Sequence, residues 1–119
     1  MTNLTVYGLK NCDSCKTAMK ALEAAGLAPQ FVDIRAETDL VVKVPAWLDK
    51  VGAKALVNTR STTWRNMSDE DRAIADGDPA GVLIAHPTLI KRPVIETGHA
   101  VRAGWTAATL DTLTAGAAE

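Results

Sequence analysis

The first 34 residues admit few folds. Leu4-Thr-Val-Tyr7 has the short, β-branched and aromatic character of a strand, and Gly8 ends it. Asn11-Cys12-Asp13-Ser14 is a turn rich in helix-capping residues. From there Cys15, Ala18, Met19, Leu22 and Ala25 recur at helical spacing, with Lys16, Lys20 and Glu23 on the opposite face. Gly26 stands where a helix-closing glycine would. Pro29-Gln-Phe-Val-Asp-Ile34 reads as a second strand. A strand, a helix and a strand with short links form a βαβ unit, and its right-handed crossover makes the two strands parallel.

The middle of the chain reads as a series of short helices. Pro45 is expected to open one that runs through Trp47, Leu48 and Val51 to Gly52, and Ala53 to Val57 continues as a short helical piece. Asn58-Thr-Arg-Ser-Thr-Thr63 reads as a polar loop. Ser68-Asp-Glu-Asp71 carries a helix-starting pattern, its acidic residues suiting a solvated first turn, and Asp78-Pro79-Ala80 starts a further helix that ends near His86-Pro87. Leu89 to Glu96 resembles a strand interrupted by Arg92-Pro93, Thr97-Gly98 a turn, and His99 to Arg102 a return strand. Thr106 would cap a last helix carrying Leu110 and Leu113, and Ala115 to Glu119 should fray. The order βαβ, helices, ββα predicts a thioredoxin-like α/β fold. We expect a single domain over residues 1–119, with a helical insertion at about 38–86 between its two halves.

Composition limits the function. Thirteen basic and 14 acidic residues leave a net charge of −1, which leaves no bulk positive charge for direct nucleic-acid binding. Residues of the apolar set make up 47% of the 119, enough for a core, although 20 of them are alanine. No long apolar run or basic leader appears, so a cytoplasmic, membrane-free monomer is expected.

The two cysteines, Cys12 and Cys15, are too few and too close for a disulfide scaffold. In a reducing compartment such a pair is redox-active or metal-binding, or it is buried and inert. A zinc site completed by His86 and His99 lacks ligand spacing, and no metal is expected. Cys12 lies just before the first helix, where free N–H groups and the helix dipole favour a thiolate, and Lys10 and Lys16 add positive charge against Asp13. Cys12 is therefore the expected nucleophile with a depressed pKa. Cys15, one turn inward on the apolar face, should be less exposed and could resolve a mixed disulfide on Cys12. Trp47 and Trp105 read as core. Trp64, beside Arg60 and Arg65, could instead line a site.

Three segments carry a family resemblance: Tyr7-Gly-Leu-Lys-Asn-Cys-Asp-Ser-Cys-Lys16, Leu56-Val-Asn-Thr-Arg-Ser-Thr-Thr-Trp-Arg65 and His86-Pro-Thr-Leu-Ile-Lys-Arg-Pro93. In this order they resemble the ArsC/Spx family, which includes glutaredoxin-coupled arsenate reductases, YffB-type glutathione-dependent relatives and Spx regulators. The wording is most similar to the YffB-type branch. The resemblance implies a Cys12 nucleophile and a cis-proline at Pro93. It also implies anion-holding arginines at Arg60 and Arg92, with Arg102 a third candidate and Lys10 a minor one, gripping an oxyanion or a glutathione carboxylate. Otherwise each arginine would be a surface ion pair. The function this implies is an arsenate reductase-type thiol oxidoreductase acting on an oxyanion or disulfide. It would hold no bound cofactor, use glutathione as co-substrate, and have glutathione or glutaredoxin as partner. Because the CxxC pair also occurs in Spx-type members, the alternative is a redox-switched regulator that binds RNA polymerase.

Overall fold

The structure, a computed structural model, describes residues 4–36, 38–97, 100–106 and 109. The chain forms two compact units, one of residues 1–37 with 92–119 and one of residues 38–91.

The first unit is built on a four-stranded sheet. Strand β1 (Thr5–Gly8) leads into helix α1 (Asp13–Ala24), which crosses to β2 (Gln30–Asp33), and the unit resumes with β3 (Val94–Glu96) and β4 (Val101–Ala103). The strand order is β2-β1-β3-β4. β1 pairs parallel with β2, as the βαβ crossover requires, and antiparallel with β3, while β3 pairs antiparallel with β4. This is the thioredoxin-like arrangement. Val6 stands opposite Ile95, so their side chains share one sheet face. They form the core with Leu4 and with Leu22 of α1, and Met19, Leu27, Phe31 and Trp105 pack around it. Burying each such aliphatic side chain stabilises the unit by about 2 kcal/mol before entropy is counted. On the opposite face the Tyr7 hydroxyl donates to Glu96 Oε1 at 3.1 Å. Helix α1 ends as its sequence suggests: Gly26 adopts φ +83°, and Leu27 N–H reaches back to the Leu22 carbonyl at 3.0 Å.

The second unit is helical: α2 (Leu40–Val51), α3 (Ala53–Leu56), α4 (Thr62–Arg65), α5 (Asp69–Gly77) and α6 (Pro79–Ala85), followed by a 3-10 turn at Pro87–Leu89. Val44, Trp47, Leu56, Leu83, Leu89 and Ile90 are fully buried. Local caps start the later helices. Ser61 Oγ accepts from Trp64 N–H, Ser68 Oγ from Asp71 N–H, and Asp78 Oδ1 from Gly81 N–H, each at 3.1 Å. A single antiparallel bridge, Val57 with Ile90, closes the unit through Asn58 N–H to the Leu89 carbonyl (2.8 Å) and Lys91 N–H to the Leu56 carbonyl (2.7 Å).

Three sequence expectations change. Pro45 does not open α2 but lies inside it, because the helix starts five residues earlier behind Asp39. The missing N–H and the ring's crowding of the preceding turn cost less than the burial of Val44 and Trp47 contributes. The polar loop after Asn58 is shorter than expected, since Ser61 caps a helical turn over Thr62–Arg65. The interrupted strand becomes a 3-10 turn, the bridge residue Ile90 and a three-residue β3 beginning after Pro93, which has no N–H to donate. Thr106 Oγ1 accepts from Thr109 N–H at 3.2 Å, as a cap would. Gly98, His99 and the helix around Leu110 and Leu113 lie outside the described residues.

Candidate functional site

Cys12 is the N-cap residue of α1, with extended φ/ψ of −94° and 119°. Its N–H donates to the Leu9 carbonyl at 3.1 Å, and its own carbonyl accepts from Lys16 N–H at 3.0 Å, which fixes the residue at the helix mouth. It is half-buried, whereas Cys15, one turn on, is 1% exposed. Both thiols are free.

The two thiols are driven in opposite directions. Partial burial pushes the Cys12 thiol up. The Cys15 N–H and thiol, which donate to its sulfur, and the charge and hydrogen bond of the Arg92 guanidinium outweigh that burial and hold it below the ordinary value of 9.0. Burial pushes the Cys15 thiol up to about 12, reinforced by its bond to Cys12 and by the Cys12 charge. The pair is therefore one sulfur eased toward the thiolate and one that keeps its proton and donates it as a hydrogen bond. Of the cations expected around Cys12, Lys10 and Lys16 from their positions and Arg60 and Arg92 from the family resemblance, Arg92 is the one that acts on its sulfur.

Arg92 enters the site because the chain turns there. The Arg92–Pro93 peptide bond is cis, Pro93 is buried, and its carbonyl accepts from Gly104 N–H at 2.8 Å, which ties the start of β3 to the end of β4. Arg102 stands opposite Ile95 on the edge strand β4 and is exposed, and Cys12 feels Arg92 rather than Arg102. Lys10 is exposed just before the Cys12 turn, close enough to the Asp33 carboxylate to favour its charge. That carboxylate, at the end of β2, is held below its usual range by the N–H groups of Ala36 and Arg35, each at 2.8 Å.

Arg60 belongs to the second unit and is exposed. Its loop is built by its neighbours. Asn58 Oδ1 accepts from Arg60 N–H at 3.1 Å, and the Ser61 hydroxyl donates to the Asn58 carbonyl at 2.8 Å. Trp64 has its ring under the Arg72 guanidinium at 5.5 Å, and Arg72 Nη2 also donates to the Trp64 and Arg65 carbonyls at 3.0 and 3.2 Å. Trp64 and Arg72 thus brace the C-terminus of α4. Among the described residues no three His, Cys, Asp or Glu side chains gather as a metal would require, and no helix is long and apolar enough to cross a membrane.

Sequence reasoning missed Gly8. A Cβ at this position would overlap the Cys15 Sγ and come within 3.2 Å of its Cβ. The buried thiol lies directly on the strand backbone because that residue has no side chain. The sequence signal was a glycine closing a strand shortly before a cysteine pair.

A thioredoxin-like sheet with a depressed thiol at the mouth of its first helix, an arginine beside it and a cis-proline defines a thiol oxidoreductase fold of the arsenate reductase-like class. The ArsC family model matches residues 7–113, and the chain belongs to the ArsC family. An uncharacterised protein of Haemophilus influenzae is 43% identical over 94 residues, covering 77% of this chain and 82% of that protein. Among solved structures, the YFFB (PA3664) protein superposes with a TM-score of 0.83 at 27% identity, covering 95% of this chain and 97% of the other, in keeping with the YffB-type branch. An arsenate reductase (ArsC) related protein from Brucella melitensis gives 0.75 at 30% identity, covering 92% of each.

Proposed function

We propose that the protein is a cytoplasmic, glutathione-dependent thiol oxidoreductase of the arsenate reductase type. The supporting observation is the Cys12 sulfur, whose pKa the Cys15 N–H and thiol and Arg92 lower in favour of the thiolate. The thiolate attacks one sulfur of a glutathione disulfide, the Cys12–glutathione disulfide forms, and the other half leaves as a thiolate that takes a proton from solvent. With arsenate, the thiolate forms a bond to arsenic as the arsenic–hydroxyl bond breaks, and the hydroxyl takes a proton from solvent and departs as water. Arg92 balances negative charge beside the reacting sulfur, and its planar fork suits an oxyanion or a carboxylate. Arg60, with Arg102 and Lys10 in lesser roles, binds the remaining anionic groups, parts assigned by family resemblance.

Cys15, pushed up to about 12 by its burial, keeps its proton at pH 7. Loss of the Cys12 charge in a mixed disulfide relieves part of that penalty, but the burial remains. An external glutathione thiol is therefore the main resolving nucleophile and Cys15 the slower one. Mass spectrometry after exposure to oxidised glutathione tests this order. A persistent glutathione adduct on Cys12 agrees with it, while immediate loss of two hydrogens would assign resolution to Cys15. A coupled assay showing thiol consumption with arsenate or a disulfide, abolished in Cys12→Ser, tests the activity, and absence of turnover with both substrates removes it.

A further inference from the structure

Beside the cysteine pair lies a groove of about 270 Å³ that the reaction above leaves unused. Its floor is formed by Leu9, Cys15, Met19 of α1 and Phe31 of β2, and its surface is almost entirely nonpolar. Lys10, Lys16 and Lys20 complete the lining, and all three are exposed. Long lysine side chains of this kind lay their carbon stems along apolar surface and keep their ammonium groups in water at the rim. Among the described residues no ion pair engages any of the three, although Asp33 feels the charge of Lys10, and Asp13 and Glu23 stand three residues from Lys16 and Lys20 on α1. The groove therefore offers an apolar floor under a rim with an excess of positive charge, in a chain whose net charge is −1.

Size and charge together select an occupant. The volume falls just under the roughly 300 Å³ at which small-molecule pockets begin, enough for one ring or a short alkyl chain. The cationic rim calls for an anion at the edge of that apolar body. The groove is linked to the reacting sulfur through Cys15, which lines it and donates a hydrogen bond to Cys12. Arg92, by contrast, acts on Cys12 and is not part of the groove lining. Arg92 is thus the cation that acts on Cys12 and the lysines are those of the groove lined by Cys15, and a disulfide substrate has two halves.

We propose that this groove is the subsite for the outgoing half of a glutathione mixed disulfide, and that it selects a small apolar thiol bearing a carboxylate. This rests on the oxidoreductase reading above. The Cys12 thiolate attacks the glutathionyl sulfur, the bond between the two substrate sulfurs breaks, and the apolar acidic thiolate leaves and takes a proton from solvent. A second glutathione thiolate then attacks the Cys12-bound glutathione, restores the Cys12 thiolate and releases glutathione disulfide. The net reaction reduces the leaving sulfur to a thiol and oxidises one glutathione thiol, which departs in glutathione disulfide joined to the glutathionyl half of the substrate.

Two measurements test this separately. In Cys12→Ser, which has no reacting thiolate, 3-phenylpropionate is titrated while the Met19 methyl and Phe31 ring resonances are followed by NMR. A saturable shift is expected, weakened roughly three- to tenfold in Lys16→Gln/Lys20→Gln, with the neutral amide 3-phenylpropionamide binding correspondingly less well. No saturable shift, or equal binding of acid and amide, overturns the groove as an anionic subsite. In the active protein, glutathione mixed disulfides of 4-mercaptophenylacetate and of its amide share a leaving group. The acid is expected to show a KM several-fold lower, and that ratio should collapse in Lys16→Gln/Lys20→Gln. A ratio of one overturns the selectivity. Absence of turnover with both disulfides sinks the oxidoreductase reading and the substrate role with it, and the titration still decides the groove by itself.

Discussion

The two units reach order by different routes. The second unit is assembled from local devices: Ser61, Ser68 and Asp78 each cap a helix within three residues of their own position. The first unit depends on partners distant in sequence. Val6 meets Ile95, the Pro93 carbonyl meets Gly104, and the Cys12 sulfur meets Arg92. Chemistry that needs a charge beside a thiolate therefore sits where long-range pairing holds the backbone, while the capped helices tolerate local change. The comparison predicts that packing substitutions beneath the reacting sulfur in the first unit alter stability and reactivity together, that replacing the sulfur itself alters reactivity alone, and that substitutions in the capped helices alter stability alone.

The largest expected effect is at the sulfur itself. Cys12→Ser should lower turnover at least about a thousandfold, since a serine hydroxyl stays protonated where the thiol ionises. Its melting curve should stay close to that of the parent at neutral pH. A thousandfold loss accompanied by unfolding would instead make Cys12 a structural residue, and the contrast between the units would fail at its centre.

Gly8→Ala comes next, because it strikes packing and chemistry at once. The added methyl overlaps the Cys15 Sγ, which is 1% exposed and must shift to make room. Denaturant titration should show a loss of about 1–3 kcal/mol. The alkylation pKa of Cys12 should rise, since a displaced Cys15 can no longer donate to it. The double variant Gly8→Ala/Cys15→Ala should recover most of the stability but not the low pKa. If the double variant is no more stable than Gly8→Ala, the close approach is not the cause.

These residues also show what was legible in the sequence. The βαβ opening, the position of Cys12 at the helix start and the caps at Ser68 and Asp78 were readable because each rests on periodicity or on a side chain bonding a near neighbour. Pro45 misled because burial of Val44 and Trp47, a tertiary effect, overrode its preference for a helix start. The role of Gly8 went unread because its partner is the Cys15 side chain on the buried face of α1, and no local pattern announces that this thiol will press on the strand backbone. Arg92 could be named only through its family motif. Its charge reaches Cys12 through the fold of the β3 entrance rather than through sequence spacing.

Arg92→Ala should raise the alkylation pKa of Cys12 and slow thiol consumption at neutral pH, with a smaller change in stability than Gly8→Ala. Arg92→Lys should recover part of the pKa through its charge, and less of the turnover because it lacks the planar fork. An unchanged pKa in Arg92→Ala would leave the Cys15 donors as the sole support of the thiolate. The two thiols also make opposite contributions to stability as pH changes. Cys12, depressed in the folded state, contributes stability above its unfolded value that is lost as pH falls through its folded value. Cys15, raised to about 12, stays protonated when folded while the unfolded chain ionises near 9.0, so its contribution falls with rising pH in that window. The fall should approach about 1 kcal/mol per pH unit and disappear in Cys15→Ala.

The smallest effects belong to the capped helices, and they test the other side of the comparison. Ser68→Ala removes the acceptor for Asp71 N–H at the start of α5 and should cost about 1 kcal/mol. Gly77 is the last residue of α5, and a methyl group added there would meet no atom within 4 Å. Its φ is not positive, so Gly77→Ala should add about 0.5–1 kcal/mol by restricting the unfolded chain. Both variants should leave the Cys12 alkylation profile where it was. A shift in that profile from either one would show that the helical unit tunes the thiolate, and the separation between a locally capped unit and a chemically committed one would have to be redrawn around α5.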